Sequence, residues 1–71
     1  MENMNSRESI GKQLAELRQQ KGLTIRQLAE LSGVNYSNIG KIERGAYNVS
    51  IDILSKICNS IDVNIQLIFK E

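Results

Sequence analysis

The chain has 71 residues, nine Lys and Arg against eight Asp and Glu, one cysteine, no histidine and no proline. That length allows one domain and buries only about 60% of the unfolded surface, so a lone copy is expected to be marginally stable. A single cysteine forbids an internal disulfide, the missing histidines leave no metal-ligand set, and no run reaches the roughly 18 apolar residues of a membrane span. The N-terminal MENMNSRES lacks the basic-then-apolar pattern of a secretory signal, so the expectation is a cytoplasmic protein with no cofactor and no membrane association. The formal charge is only +1, but residues 9–49 carry six basic and three acidic side chains, and the flanking ends are slightly acidic. An excess of that size also occurs on ordinary helical surfaces, so charge alone does not select a nucleic-acid partner.

Residues 1–5 have no periodicity and are expected to be disordered. From Ser6 to about Lys21, Ile10, Leu14 and Leu17 fall at i, i+4 and i+7, the stripe of an amphipathic helix that Gly22 stops. Arg18 borders that stripe, so its guanidinium is expected to be partly buried and to need a carboxylate. Thr24 followed three residues later by Gln27 is a capping box, which starts a second helix. Ile25, Leu28, Ala29 and Leu31 recur along it at helical spacing until Ser32-Gly33. After the turn, Asn35 is a favoured N-cap, and Ile39 and Ile42 lie three apart on the inner face of a third helix ending at Gly45.

The other face of this third helix carries the functional signal. Tyr36, Ser37, Gly40, Lys41 and Arg44 are related by steps of three and four and form one outward stripe. Two helices joined by a short Gly-containing turn, the second with a polar outward stripe, describe a DNA-binding helix-turn-helix. Glu43 lies one residue past Ile42 and borders the buried face, which makes it the natural partner of Arg18.

A loop from Ala46 to Val49 leads to Ser50, the N-cap of a fourth helix reaching about Ile61, with Ile51, Leu54, Ile57, Cys58 and Ile61 as its apolar face. Cys58 belongs to that face, and a small buried apolar role outweighs a reactive or metal-binding one. Beyond Asp62 the period changes to two: Val63, Ile65, Leu67 and Phe69 alternate with Asn64, Gln66, Ile68 and Lys70, the pattern of a half-buried strand over 63–70. A lone strand leaves both edges unpaired, and the same strand of a second copy is its simplest partner. A strand folded over its own helices and a frayed helical extension are the alternatives.

The run GLTIRQLAELSGVNYSNIGKIERGAYNVSIDILSKI, Gly22 to Ile57, resembles the lambda-repressor-like helix-turn-helix family of Cro and phage-repressor (XRE) type. Leu23-Thr24, Leu28-Ala29, Gly33-Val34, Ile39 and Ile42-Glu43-Arg44-Gly45 carry the resemblance in register without a gap. It implies a mainly α domain of four or five helices over residues 6–62, to which the alternation above adds one C-terminal β-strand. It also implies binding to double-stranded operator DNA as a two-fold dimer. Carried over by position, base reading falls to Tyr36, Ser37 and Lys41, with Asn38 and Gly40 between them. Phosphate contacts fall to Asn35, Arg44 and the loop carrying Tyr47 and Asn48, and the buried ion pair to Arg18 and Glu43. The chain departs from the pattern at Ile25, where many members have a phosphate-touching Gln, so that contact passes to Arg26 beside Thr24. Ala46 to Val49 replace the usual basic pair and proline. Gly40 costs the recognition helix about 1 kcal/mol relative to Ala, which points to close approach by DNA or to a tolerated surface glycine.

The leading expectation is therefore a sequence-specific DNA-binding regulator, a repressor, dimerised through Val63, Ile65, Leu67 and Phe69. The alternative is an antitoxin-like or accessory module that also grips a partner protein through its strand edge. An enzyme is the least supported class: no histidine, acid pair, phosphate-binding glycine loop or base-activated nucleophile is present.

Overall fold

Three of the helices begin where a side chain can satisfy their first free N–H groups. The Thr24 hydroxyl accepts from the Gln27 N–H at 3.1 Å, while Gln27 Oε1 accepts from the Thr24 N–H at 2.8 Å, closing the capping box. Asn35 Oδ1 accepts from the Ser37 N–H at 2.8 Å and Ser50 Oγ from the Ile53 N–H at 3.1 Å. In the computed structural model, which describes residues 6–65, the helices are α1 (Ser6–Gln20), α2 (Ile25–Ser32), α3 (Tyr36–Glu43) and α4 (Ile51–Ser60). Residues 1–5 lie outside the described part, and with them the disorder expected there.

The turn between α2 and α3 is set by three consecutive devices. Gly33 adopts φ 75°, a left-handed conformation that costs glycine little, and donates to the Ala29 carbonyl at 2.8 Å. The buried Ser32 hydroxyl accepts from the Val34 N–H at 3.2 Å, and Asn35 then caps α3. Elsewhere the helices close with paired reversals. Leu23 donates to Arg18 O, Ala46 to Lys41 O and Val63 to Cys58 O, each across a residue of positive φ: Gly22, Gly45 and Asp62.

Leu14, Leu28, Val34, Ile39, Ile42, Ile57 and Ile61 form one buried cluster drawn from all four helices and the α2–α3 turn. Leu17, Leu23, Ile25, Ala29, Tyr47, Val49, Ile53 and Val63 pack around it. Two residues of the expected apolar stripes fall outside. Leu31 is 57% exposed and Ile51 68%, because each sits at the edge of a stripe that a helix of eight or ten residues can bury over only part of its width. Leu54 and Cys58 are buried but border an open apolar groove of about 300 Å³ between α1, α4 and residues 63–65. Burial pushes the Cys58 thiol pKa up, in keeping with a core residue.

The expected C-terminal strand is not found: among the described residues there are four helices and no β-strand. The Val63 N–H, which a ladder would need, donates to Cys58 O at 2.9 Å and closes α4. Val63 then packs against the core and Ile65, 40% exposed, borders the groove beside α1 and α4, so the apolar alternation in this part of the run is met in part by the molecule's own helices without a ladder. Leu67 and Phe69, the other half of the expected dimerisation strand, lie outside the described residues.

Two contacts lock α1 to α3. Gly11 is buried in the middle of α1, on the same face as Leu14 and Arg18, and a Cβ there would overlap the Ile42 and Glu43 carbonyl oxygens. Farther along, Arg18 Nε donates to Glu43 Oε2 at 2.7 Å and Nη2 to Oε1 at 3.0 Å, while Nη1 donates to Leu23 O at 2.8 Å. The two charged side chains are 13% and 8% exposed. Hydrogen bonding to Glu43 raises the Arg18 pKa above its ordinary value, against the opposing effect of burial. A base raised in this way contributes stability below the ordinary arginine range, as long as its partner is a carboxylate, and loses it as pH rises through the raised value.

Gly11→Ala is expected to destabilise the domain by about 1–3 kcal/mol, the range of overpacking, although alanine is the better helix former; urea unfolding measures this. Glu43→Ala is expected to cost about 3 kcal/mol, the lower end for breaking a buried pair from one side, whereas pairing it with Arg18→Met costs less than the sum of the two single changes. A double-mutant cycle in urea checks the coupling.

Candidate nucleic-acid interface

α3 is eight residues long and is held from behind: Ile39 and Ile42 are almost completely buried, leaving the opposite face to solvent. On that face Tyr36, Ser37, Gly40, Lys41 and Arg44, together with Ile25 from the start of α2, surround a depression of about 200 Å³. The structure thus brings together five of the residues expected to touch DNA. Tyr36, Ser37, Lys41 and Arg44 are exposed, and Gly40 is buried beneath them. Lys41 and Arg44 make this patch cationic, and none of the six lining residues is acidic.

Asn35 and Ser37 are coupled more tightly than spacing indicated. The Ser37 hydroxyl donates to Asn35 Oδ1 at 2.6 Å, the same oxygen that caps α3. With its proton so engaged, Ser37 presents acceptor lone pairs outward, which suit a base amino group rather than a base carbonyl. Asn38 is only partly exposed and does not line the depression. Thr24 is exposed, but its hydroxyl oxygen accepts within the capping box. In the loop after α3, Asn48 is exposed whereas Tyr47 is half-buried against the core.

Sequence spacing missed one contact. The Arg26 guanidinium lies over the Tyr36 ring, its central carbon 4.5 Å from the ring centroid. A cation in that position is attracted by the negative face of the ring and restrains it. The signal available was Arg26 one residue into α2 and Tyr36 at the first position of α3, two helix starts that the turn folds side by side. Arg26 therefore stands at the edge of the outward face of α3, where the resemblance placed a phosphate contact, with its guanidinium against the aromatic ring.

Comparison with known proteins follows this geometry. A family model described as helix-turn-helix matches residues 14–68. The chain belongs to this helix-turn-helix family. It is 39% identical over 61 residues to the HTH-type transcriptional regulator PuuR of Escherichia coli strain K12, an alignment covering 86% of this chain and 33% of PuuR. Among solved structures it resembles the clp gene regulator ClgR of C. glutamicum, with TM-score 0.85, 33% identity, and 90% of this chain and 82% of that one covered. It also resembles the restriction-modification controller protein C.AhdI of Aeromonas hydrophila, with TM-score 0.79, 40% identity, and 82% and 88% covered. The chain spans about a third of the length of PuuR.

Asn35→Ala is expected to lower stability by about 1 kcal/mol, the usual cost of losing an N-cap, and to free the Ser37 hydroxyl. Thermal unfolding reads the first effect, and the change in base preference of a selected binding site reads the second.

Proposed function

We propose that the chain is a sequence-specific DNA-binding transcriptional regulator that lays α3 in the major groove of double-stranded DNA and acts as a repressor in the cytoplasm. The observation that carries this reading is the exposed cationic face of α3, backed by buried Ile39 and Ile42 and turned outward beside α2. Lys41 donates to a base acceptor such as guanine O6 and N7, Ser37 accepts from a base amino group, and Tyr36 supplies an apolar edge, with Asn38 beside them. Arg44, Arg26, Thr24, Asn35, Tyr47 and Asn48 face the sugar-phosphate backbone, where they set register rather than sequence. A helix seated in the groove excludes other proteins from the same base pairs, and at a promoter that exclusion is repression.

Two-fold binding follows from the size of the reading surface. A helix of two turns reaches few base pairs, so useful affinity calls for two copies whose α3 helices are spaced about 34 Å apart, one turn of B-DNA, on an inverted repeat.

Selection of sites from a random double-stranded pool is expected to return such a repeat with half-sites one helical turn apart. On that site Lys41→Ala relaxes base preference at one position per half-site, whereas Arg44→Ala weakens all sequences alike and reduces the salt slope by about one per copy. If both variants bind the selected site as the parent chain does, the face has been assigned wrongly.

A further inference from the structure

Gly40, which has no side chain, lies in the floor of the depression on the outer face of α3. A Cβ there would enter the space 3.3 Å from Arg44 Nη1. The backbone does not require glycine: Gly40 lies inside α3 and is not among the glycines of positive φ. Glycine is also among the poorest helix formers, so what this residue contributes is the room it leaves. The floor is apolar, formed by the Gly40 backbone and half-buried Ile25, and the Tyr36 ring makes one wall under the restraint of Arg26. Lys41 and Arg44 place positive charge on the rim. A ligand matching this surface has a small apolar group, an acceptor oxygen beside it and an anionic backbone around it. In the major groove thymine fits, since its C5 methyl lies next to the O4 acceptor.

We propose that this depression is a thymine-methyl subsite, seating the methyl group over Gly40 against Ile25 and Tyr36 while Lys41 donates to O4 or to the adjoining base. The inference rests on the DNA-reading function proposed above and deepens it. Cytosine carries a donor amine where thymine carries O4, and that amine meets the Lys41 ammonium unfavourably. Methylated cytosine therefore supplies the methyl group without the acceptor.

The test uses the full chain and its selected operator, with each thymine replaced in turn by deoxyuridine, which removes only the methyl group. One thymine per half-site is expected to lose about four-fold in affinity on replacement, the value of one buried methyl-sized group. In Gly40→Ala, whose new Cβ stands at the one spot over position 40 where the methyl group is to sit and whose helix propensity is better, the thymine and deoxyuridine operators are expected to bind equally at that position with the salt slope unchanged. A 5-methylcytosine·guanine pair placed there is expected to bind more weakly than the thymine pair. The subsite is refuted by an operator that binds equally with thymine and deoxyuridine throughout, or by a preference that persists in Gly40→Ala. Equal binding of the 5-methylcytosine pair refutes the assignment to thymine. A pool that yields no preferred sequence overturns the DNA-reading function itself, an outcome distinct from all of these.

Discussion

Arg18 is the joint on which the arrangement of the helices depends. Its guanidinium reaches the Glu43 carboxylate with two nitrogens and the Leu23 carbonyl with a third, so one side chain ties the end of α1 to the end of α3 and to the entry of α2. The planar fork of arginine makes this possible, since lysine offers a point charge and no fixed two-pronged geometry. Because the residue after Glu43 is Arg44, the tie also fixes where the outward-facing end of α3 stands. Gly11 does the complementary work nearer the start of α1 by letting its backbone approach the last carbonyls of α3.

The helix-turn-helix thus divides its side chains cleanly between those that brace the core and those on the outward face proposed for contact. Ile39, Ile42 and Glu43 face the interior of the molecule, while Tyr36, Ser37, Lys41 and Arg44 are left to solvent on the same two turns. Side chains near the turn serve both ends of this division. Asn35 caps the helix and holds the Ser37 hydroxyl, and Arg26 extends from α2 to lie on the Tyr36 ring. The contact face is consequently presented with its first residues already oriented, which lowers the ordering cost of an encounter with a rigid surface.

Much of this was legible in the sequence because it follows from local rules. The capping box at Thr24 and Gln27, the cap at Asn35, the stop at Gly33 and the outward stripe each depend on residues within one or two turns. The Arg18 to Glu43 pair was legible for a different reason: both residues border apolar stripes, and a charge so placed needs its opposite. What escaped depends on how elements meet. Gly11 gives no signal in the sequence until α3 is laid against it, and Arg26, expected as a phosphate contact, shows its place over the Tyr36 ring only once the turn brings the two helix starts together. The strand expectation failed where apolar alternation was taken for ladder pairing. At Val63 the N–H closes α4, and at Val63 and Ile65 the apolar side chains lie along the molecule's own groove. Leu31 and Ile51 share the helical period but sit at its margins, where period alone does not decide burial.

The brevity of α3 has a thermodynamic corollary. Eight residues form about two turns, well below the length at which an isolated helix holds together in water. The contact face therefore has no existence apart from the folded domain, and any ligand that engages it binds only the folded form. Such a ligand shifts the folding equilibrium by mass action, so affinity and conformational stability are two readings of one coupled equilibrium. In a domain of this size, a change deep in the α1–α3 contact alters occupancy of the contact face without touching any residue on it.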